Sequence, residues 1–432
     1  MSSTHKKAMR PTPPGVGELI DVAIVEIGAH GDGVADVNGE RLFVPYTLPG
    51  DYVTARRIGA SHAVPVAWHR RAPAHNQPAC GHFGTCGGCT LQHLDDGTYA
   101  EWKLAQLRTA LARRGFGEVE MHPLVRTAPG TRRRADFGVV RTEAGVIIGF
   151  HGYKSRRLVD MMACAVLHPS LVALLPPLRE LFSRLLAPGR SADVLLTQSE
   201  TGVDVLIGRV PDLDPGRRQA VAAFAAAHGV ARVAWRRSSE PAEIVAQHRA
   251  PVVTFGDVSV EIPPGAFLQA SPAGEAAIVA AVLAGTDGAA TVADLYAGCG
   301  TLTFPLASRS RVRAVEGAAE LADAVTRAAR RSGLTGRVNV ETRDLARRPL
   351  LVEELRDLDA VVFDPPRDGA SAQAAELAGS RVPVVVGISC NPTTFARDAR
   401  ILVDGGYRLI ALTPIDQFLW TPHLEIVAVF RR

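Results

Sequence analysis

The last third of the chain carries the pattern that most narrows its fold. From about residue 271, short apolar runs at 291–296, 311–315, 337–341, 359–363 and 382–388 alternate with Ala-rich stretches of helical length. Strands this uniformly apolar are buried on both faces, which requires helices on both sides of a parallel sheet. The alternation therefore predicts βαβ units and a doubly wound, Rossmann-like α/β domain. Two later runs, 407–412 and 424–430, have no helix between them and are expected to pair as a hairpin. Open sheets of this kind bind ligands beyond the carboxyl ends of their strands, so the ends of these runs are where chemistry is expected.

The rest of the chain falls into distinct pieces. Residues 15–72 alternate apolar and polar positions (Ile20, Val22, Ile24; Leu42, Val44; Val53) between turn signals at Gly31-Asp32-Gly33, Asn38-Gly39 and Pro49-Gly50-Asp51. That predicts a small antiparallel β-domain, for which an OB-like barrel is a common solution. Residues 73–95 hold Pro73, Pro78 and three cysteines, with too few apolar side chains for a core of their own. Residues 97–114 have a helical stripe of Trp102, Leu104, Leu107 and Leu111. Between 125 and 265 strand-like runs (Val139-Val140, Val146–Ile148, Val194–Leu196, Val203–Ile207) mix with an apolar helix near 170–186. The expected organisation is multidomain: a tail at 1–14, a β-barrel at 15–72, a mixed α/β middle domain at 73–265 and the Rossmann-like domain at 266–432. The helix at 97–114 could reach that last domain.

Composition excludes several classes. At 47% hydrophobic and 21% charged over 432 residues, the chain is neither disordered nor fibrous. No uncharged apolar stretch approaches the roughly 18–20 residues of a spanning helix, so no membrane role is expected. Lys6, Lys7 and Arg10 precede no apolar segment, which reads as a loose tail rather than a secretion signal. A cytoplasmic, reducing environment follows, and six cysteines are too few for a disulfide scaffold. Cys80, Cys86 and Cys89 crowd into ten residues, the pattern of metal ligands rather than of packing. The net charge of +4 is mild, yet 44 of the 48 cations are arginines. Clusters such as Arg132-Arg133-Arg134 and Arg156-Arg157 suit phosphate contacts. Charge of this size permits an RNA partner without establishing one.

The strand ends carry the chemistry. The first run closes as Asp294-Leu295-Tyr296-Ala297-Gly298-Cys299-Gly300-Thr301, a strand leading through G-x-G into a helix. Glu316 ends the next run, placed to accept hydrogen bonds from a ribose. Together these point to a nucleoside-bearing cofactor. The third glycine of the dinucleotide fingerprint is missing, and D-L-x-x-G-x-G is similar to the S-adenosylmethionine methyltransferases. The fourth run ends in Asp364-Pro365-Pro366-Arg367. Arg367 stands where methyltransferases of exocyclic amines carry an aromatic ring, which argues against amine methylation. The fifth ends in Ser389-Cys390-Asn391-Pro392, and Glu425 opens the last, with Asp416 and His423 in the loop before it. Hairpin pairing would bring Glu425 to the sheet edge that carries Cys390, a nucleophile beside a general base. Methylation of uracil C5 needs that pair. The thiolate adds at C6, the resulting enolate takes the methyl at C5, and a base removes the C5 proton so that the thiolate leaves.

With these residues in view, the chain resembles the RNA 5-methyluridine methyltransferase family, specifically its 23S ribosomal RNA branch. Gly31–Ala35, Phe43-Val44-Pro45 and Leu48–Asp51 are similar to that family's TRAM domain, an OB-like RNA-binding barrel, and Gly265-Ala266-Phe267-Leu268-Gln269 to its G-x-F-x-Q box. Asp294–Gly300, Asp364–Arg367, Ser389–Pro392 and His423-Leu424-Glu425 match its remaining boxes. The resemblance implies Cys390 as nucleophile, Glu425 as base, and Gln269, Tyr296, Glu316 and Asp364 as the main S-adenosylmethionine contacts, with Thr301 and Asp344 in lesser roles. It also implies that Cys80, Cys86, Cys89 and Cys164 hold a [4Fe–4S] cluster, although thiolates at this spacing suit zinc equally well. The three domains would enclose an extruded uridine.

Some positions depart from the family pattern. Ala297 replaces a cysteine, Thr301 an asparagine, and Ala328, Ala329 and Arg331 replace asparagines in the helix after Glu316. None of these removes the nucleophile or the base. The expected enzyme is an S-adenosylmethionine-dependent uridine C5-methyltransferase acting as a monomer on structured RNA, 23S ribosomal RNA ahead of transfer RNA. Its rivals are a cytosine C5-methyltransferase, disfavoured by Arg367, and a noncatalytic RNA-binding assembly factor, disfavoured by Cys390 and Glu425.

Overall fold

The computed structural model describes residues 17–210, 212–237 and 240–432, so the expected tail at 1–14 lies outside the described residues. The chain divides into two compact units. One comprises the residues up to Ala79, Cys89–Trp102 and Trp420–Pro422, and the other Cys80–Gly88, Lys103–Leu419 and His423–Arg432.

The first unit is built on two three-stranded antiparallel sheets, Leu19–Ala23/Tyr52–Arg57/Ala63–Arg70 and Glu26–Ile27/Gly33–Val37/Glu40–Val44. Their inward positions, Val22, Ala35, Leu42, Val44, Val53 and Ala55, share one core. The sheets meet where Phe43 N donates to Ser61 O at 2.9 Å. The hairpin at Asn38-Gly39 has φ of 57° and 85°, both positive, as a two-residue turn compatible with strand twist demands. Asp51 is fully buried and tied down, accepting from Leu48 N at 2.9 Å and Ala72 N at 2.7 Å, with the His75 ring 2.8 Å away. Beside it Leu48, Ala72, Leu91, Leu94, Tyr99 and Trp102 form a second cluster. That cluster is what orders residues 89–95, which have no core of their own.

In the second unit a seven-stranded sheet spans residues 134–247. Its core is closed by the helix Leu175–Leu185, which buries Leu175, Leu178, Leu181, Phe182 and Leu185. The single helix expected near 170–186 is split, because Pro176 and Pro177 lack the amide hydrogens to continue the preceding turn and instead begin a new one.

The Rossmann-like sheet has strands β1 (Thr291–Leu295), β2 (Arg311–Glu316), β3 (Val338–Thr342), β4 (Ala360–Phe363), β5 (Val384–Ser389), β6 (Arg408–Asp416) and β7 (Glu425–Arg431). Their order is β3-β2-β1-β4-β5-β7-β6, with β1 to β5 parallel and β7 antiparallel to both its neighbours. The expected hairpin forms, and its second strand slots between β5 and β6. Two parts were not foreseen. The strand Val125–Arg126 extends the β6 edge. The hairpin Val252–Phe255/Val258–Glu261 buries Val253, Phe255, Val258 and Val260 in the same core as Val292 of β1. Ala328 and Ala329 lie in that core too, on the helix Ala319–Arg331. A polar amide at either position would be buried among apolar side chains, which accounts for the alanines there. Among the described residues no helix is long and apolar enough to cross a membrane.

The helix Asp96–Ala112 contributes Leu107 and Leu111 to the core over β1 and β4. Its Lys103 is wholly buried, donating to Asp416 Oδ1 at 2.8 Å, to Phe418 O at 3.3 Å and to His423 O. Burial pushes the Lys103 ammonium down and Asp416 opposes it. This pair pins both ends of the β6–β7 connection. Replacing one member strands the other's charge, so Lys103→Met should cost about 3–5 kcal/mol in urea unfolding. A loss below about 1 kcal/mol would show that the pair does not hold the connection.

Candidate active site

The cofactor-type loop after β1 is shaped by its backbone. Tyr296, Gly298 and Gly300 have φ of 62°, 58° and 97°. A side chain on Gly300 would meet the Phe304 ring at 2.5 Å, whereas nothing lies within 4 Å of a Cβ placed on Gly298, leaving that side of the loop open. Glu316, at the end of β2, accepts from Gly298 N and Ala318 N, each at 2.8 Å, and so braces the loop against the neighbouring strand. Asp294 is buried in β1 and accepts from Thr303 Oγ1 at 2.5 Å. Burial, helped by Asp364 and Glu316, pushes its carboxyl up to about 7. Tyr296 is half-buried, and burial, with Asp398 and Asp344, raises its phenol to about 12.

Beyond β4 the Asp364–Gly369 segment is strapped to the helix Pro392–Asp404. Thr394 Oγ1 donates to Arg367 O at 3.1 Å, Arg397 Nη2 to Asp368 O at 2.8 Å, and Asp398 accepts from Ala370 N at 2.7 Å. Asn391 caps the same helix by accepting from Thr393 N at 3.0 Å. Cys390 is thereby held in the two-residue step between β5 and its helix, partly exposed. Register places Ser389 opposite Ile426, so Glu425 and Cys390 emerge together at one sheet edge. The thiol is pushed up to about 11, by burial first and then by Glu425 and Asp364, with Arg367 opposing. Glu425 is itself buried, and burial followed by Asp364 holds its carboxyl well above the ordinary range. Burial raises Asp364 as well.

Gln269 joins this group from outside the sheet. Its Nε2 donates to Asp364 at 2.9 Å, and its Oε1 accepts from Gln417 Nε2 at 2.7 Å. Gln417 Nε2 also donates to Glu425 Oε2 at 2.8 Å, while its Oε1 accepts from Ala270 N at 3.0 Å. Arg133 holds the same segment from the side, with Arg133 N donating to Ala270 O at 2.9 Å, Nε to Gln269 O at 3.0 Å, and the guanidinium pairing with Glu275. Arg133 is thus a buried brace, not the phosphate contact its cluster suggested. Sequence reasoning missed Gln417 altogether; its position immediately after Asp416 was the one available signal. The structure therefore brings Gln269, Asp364, Glu425 and Cys390 together at the carboxyl edge of the sheet, with Tyr296 on the adjoining loop and Glu316 bracing that loop from the end of β2. A buried carboxylate facing a thiol is equipped for covalent addition followed by proton removal.

The cysteines at 80–164 fall apart from this group. Burial raises Cys86, with Cys164 and Cys80 adding to it, and Cys164 is raised by burial and by Cys80, so these three thiols share one neighbourhood. Among the described residues no three His, Cys, Asp or Glu side chains are gathered tightly enough for a metal ion.

Comparison with known proteins fits this geometry. A family model described as tRNA (Uracil-5-)-methyltransferase matches residues 265–432. An uncharacterized RNA methyltransferase of Brucella melitensis is 44% identical over 412 residues, covering 95% of this chain and 97% of that protein. The 23S rRNA (uracil(1939)-C(5))-methyltransferase RlmD of Chromohalobacter salexigens is 34% identical over 430 residues, covering 95% of this chain and 89% of that one. Among solved structures, the Pyrococcus abyssi tRNA (uracil-54, C5)-methyltransferase in complex with S-adenosyl-L-homocysteine aligns over 95% of this chain and 100% of its own, with a TM-score of 0.71 and 25% identity. Identity at this level over nearly the whole length, on a sheet whose strand ends carry the matching boxes, shows that the chain belongs to the RNA (uracil-5-)-methyltransferase family, whose members are S-adenosylmethionine-dependent RNA methyltransferases.

Proposed function

We propose that the protein transfers a methyl group from S-adenosylmethionine to C5 of a uridine in structured RNA, with 23S ribosomal RNA as the substrate. The observation that carries this reading is the emergence of Cys390 and Glu425 at one sheet edge, joined through Gln417 and Gln269 to Asp364 beside the cofactor-type loop. In the reaction, Cys390 gives its proton to solvent and its sulfur bonds to C6, pushing the C5=C6 electron pair into the ring as an enolate. That pair takes the methyl group at C5, and the sulfonium leaves as the neutral thioether. Glu425 then accepts the C5 proton, the C–H electrons re-form C5=C6, and the C6–S bond breaks to return the Cys390 thiolate. Gln269, Tyr296, Glu316 and Asp364 hold the cofactor, and the open space over Gly298 supports its placement there.

The family resemblance and the similarity to RlmD favour ribosomal RNA, and the small barrel at 15–72 suits an RNA-binding role. The four thiols fit iron in donor type, and we assign a [4Fe–4S] cluster to Cys80, Cys86, Cys89 and Cys164. Its contribution would be to tie their loops together, with no part in the methyl transfer. A monomer working in the cytoplasm completes the reading. The test is nucleoside analysis of RNA from cells lacking the gene, incubated with the protein and S-adenosylmethionine. New 5-methyluridine in the 23S fraction is expected. Its appearance in transfer RNA alone would move the substrate, and its absence from both would favour the assembly-factor reading.

A further inference from the structure

Gln417 is buried at the point where the cofactor-side and base-side groups meet. Its amide is committed at both ends. Oε1 is anchored on the backbone through Ala270 N, which fixes which way the amide points, and Nε2 is shared between Gln269 Oε1 and Glu425 Oε2. The backbone on that side is braced in turn by Arg133. There is little space for an alternative arrangement, since a Cβ on Gly274 would meet Gln417 atoms at 2.8 Å. Gln417 occupies Glu425 Oε2 and leaves Oε1 as the oxygen without a hydrogen bond among the described residues.

We propose that Gln417 is a positioning residue for the elimination step: it holds Glu425 by one oxygen so that the other meets the C5 proton. This rests on the uridine C5-methyltransferase reading. In that step the proton passes from C5 to Glu425 Oε1, the C5–H electrons form C5=C6, and the C6–S electrons return to Cys390. Addition and methyl transfer do not draw on Glu425 as a proton acceptor at C5, so they depend less on Gln417. The same amide holds Gln269, which makes the orientation of the base and of a cofactor-side residue two consequences of one side chain.

The test compares Gln417→Met, which keeps the chain length and removes both amide groups, with Gln417→Glu, which keeps the shape and replaces the donor by an acceptor. Three quantities are read for each: methylation turnover on RNA, the amount of SDS-stable protein–RNA adduct formed on ordinary RNA with S-adenosylmethionine, and the rate of adduct formation on RNA containing 5-fluorouridine, from which no C5 proton can be removed. Turnover is expected to fall about 10- to 100-fold in both variants, the range set by losing a hydrogen bond to a charged group. Adduct on ordinary RNA is expected to accumulate, while 5-fluorouridine adduct forms within about threefold of the parent rate. Equal loss of turnover and of 5-fluorouridine adduct would overturn the proposal in favour of a packing role, as would unchanged turnover. A Gln417→Met protein that does not fold leaves Gln417→Glu to decide, by the same split between lost turnover and retained 5-fluorouridine adduct. Failure of the parent protein to form 5-fluorouridine adduct would instead strike the uridine reading itself.

Discussion

Cys390→Ala should abolish both methylation and covalent attachment to RNA while leaving the fold intact. The side chain is partly exposed at the end of β5 and contributes to no core cluster, so truncation removes little buried surface. The loss should be at least about 10⁴-fold, because a nucleophile that forms the covalent intermediate has no substitute in the site. The resting thiol is held up at about 11 by burial and by two carboxylates, so only a small fraction is thiolate at neutral pH. Gel separation under denaturing conditions, with 5-fluorouridine RNA and S-adenosylmethionine, should show adduct for the parent and none for the variant. Adduct formation by Cys390→Ala would assign the nucleophile elsewhere, and the buried Cys299, whose thiol lies deeper and is raised to about 12, is a poor alternative.

Glu425→Gln should give the opposite signature, adduct that forms and does not resolve. The exchange is isosteric and keeps an acceptor toward Gln417 Nε2, so the fold should be preserved. What is lost is the proton acceptor, a contribution of about 10²- to 10⁴-fold in general base catalysis. Ordinary RNA should become trapped as methylated adduct, with turnover down by that factor. The parent's pH profile should agree. Burial and Asp364 raise the Glu425 carboxyl above the ordinary value of about 4.3, and the base acts only when ionised. As pH falls through that raised value the carboxylate is protonated and turnover declines, so the acid limb should lie above the usual carboxylate range. A Glu425→Gln protein that turns over freely, or an acid limb at an ordinary carboxylate position, would remove Glu425 from the role.

How legible this was in the sequence differs from feature to feature. The alternation of apolar runs gave the parallel sheet, and each run ended at a residue the structure places on the carboxyl edge: Asp294, Glu316, Asp364 and Cys390. Glu425 came from topology, since a run with no preceding helix pairs as a hairpin and turns its start toward the other strands' ends. Its strand, however, lies between β5 and β6, a position that periodicity does not encode. The strand Val125–Arg126 is two residues long and has no period to detect. The hairpin at 252–261 alternates well, but nothing local says which of two cores its apolar face joins. Lys103, Arg133 and Gln417 were invisible for a common reason. Charged and polar residues in a helix or loop are ordinarily solvated, and only tertiary structure shows that Lys103 meets Asp416, Arg133 meets Glu275, and Gln417 meets Gln269 and Glu425. These three hold the groups that the sequence motifs name.

The measurement that bears most directly on the central claim is tritium release from RNA labelled at uridine C5, with purified protein, in the presence and absence of S-adenosylmethionine. Methyl transfer to C5 must expel the hydrogen that was there, so the label reports the reacting carbon itself. Release that requires both the cofactor and Cys390, and that comes from the 23S fraction, is the expected result. Methyl incorporation with no tritium release would place the methyl group on another atom and contradict the assignment of Cys390 and Glu425 to uracil C5.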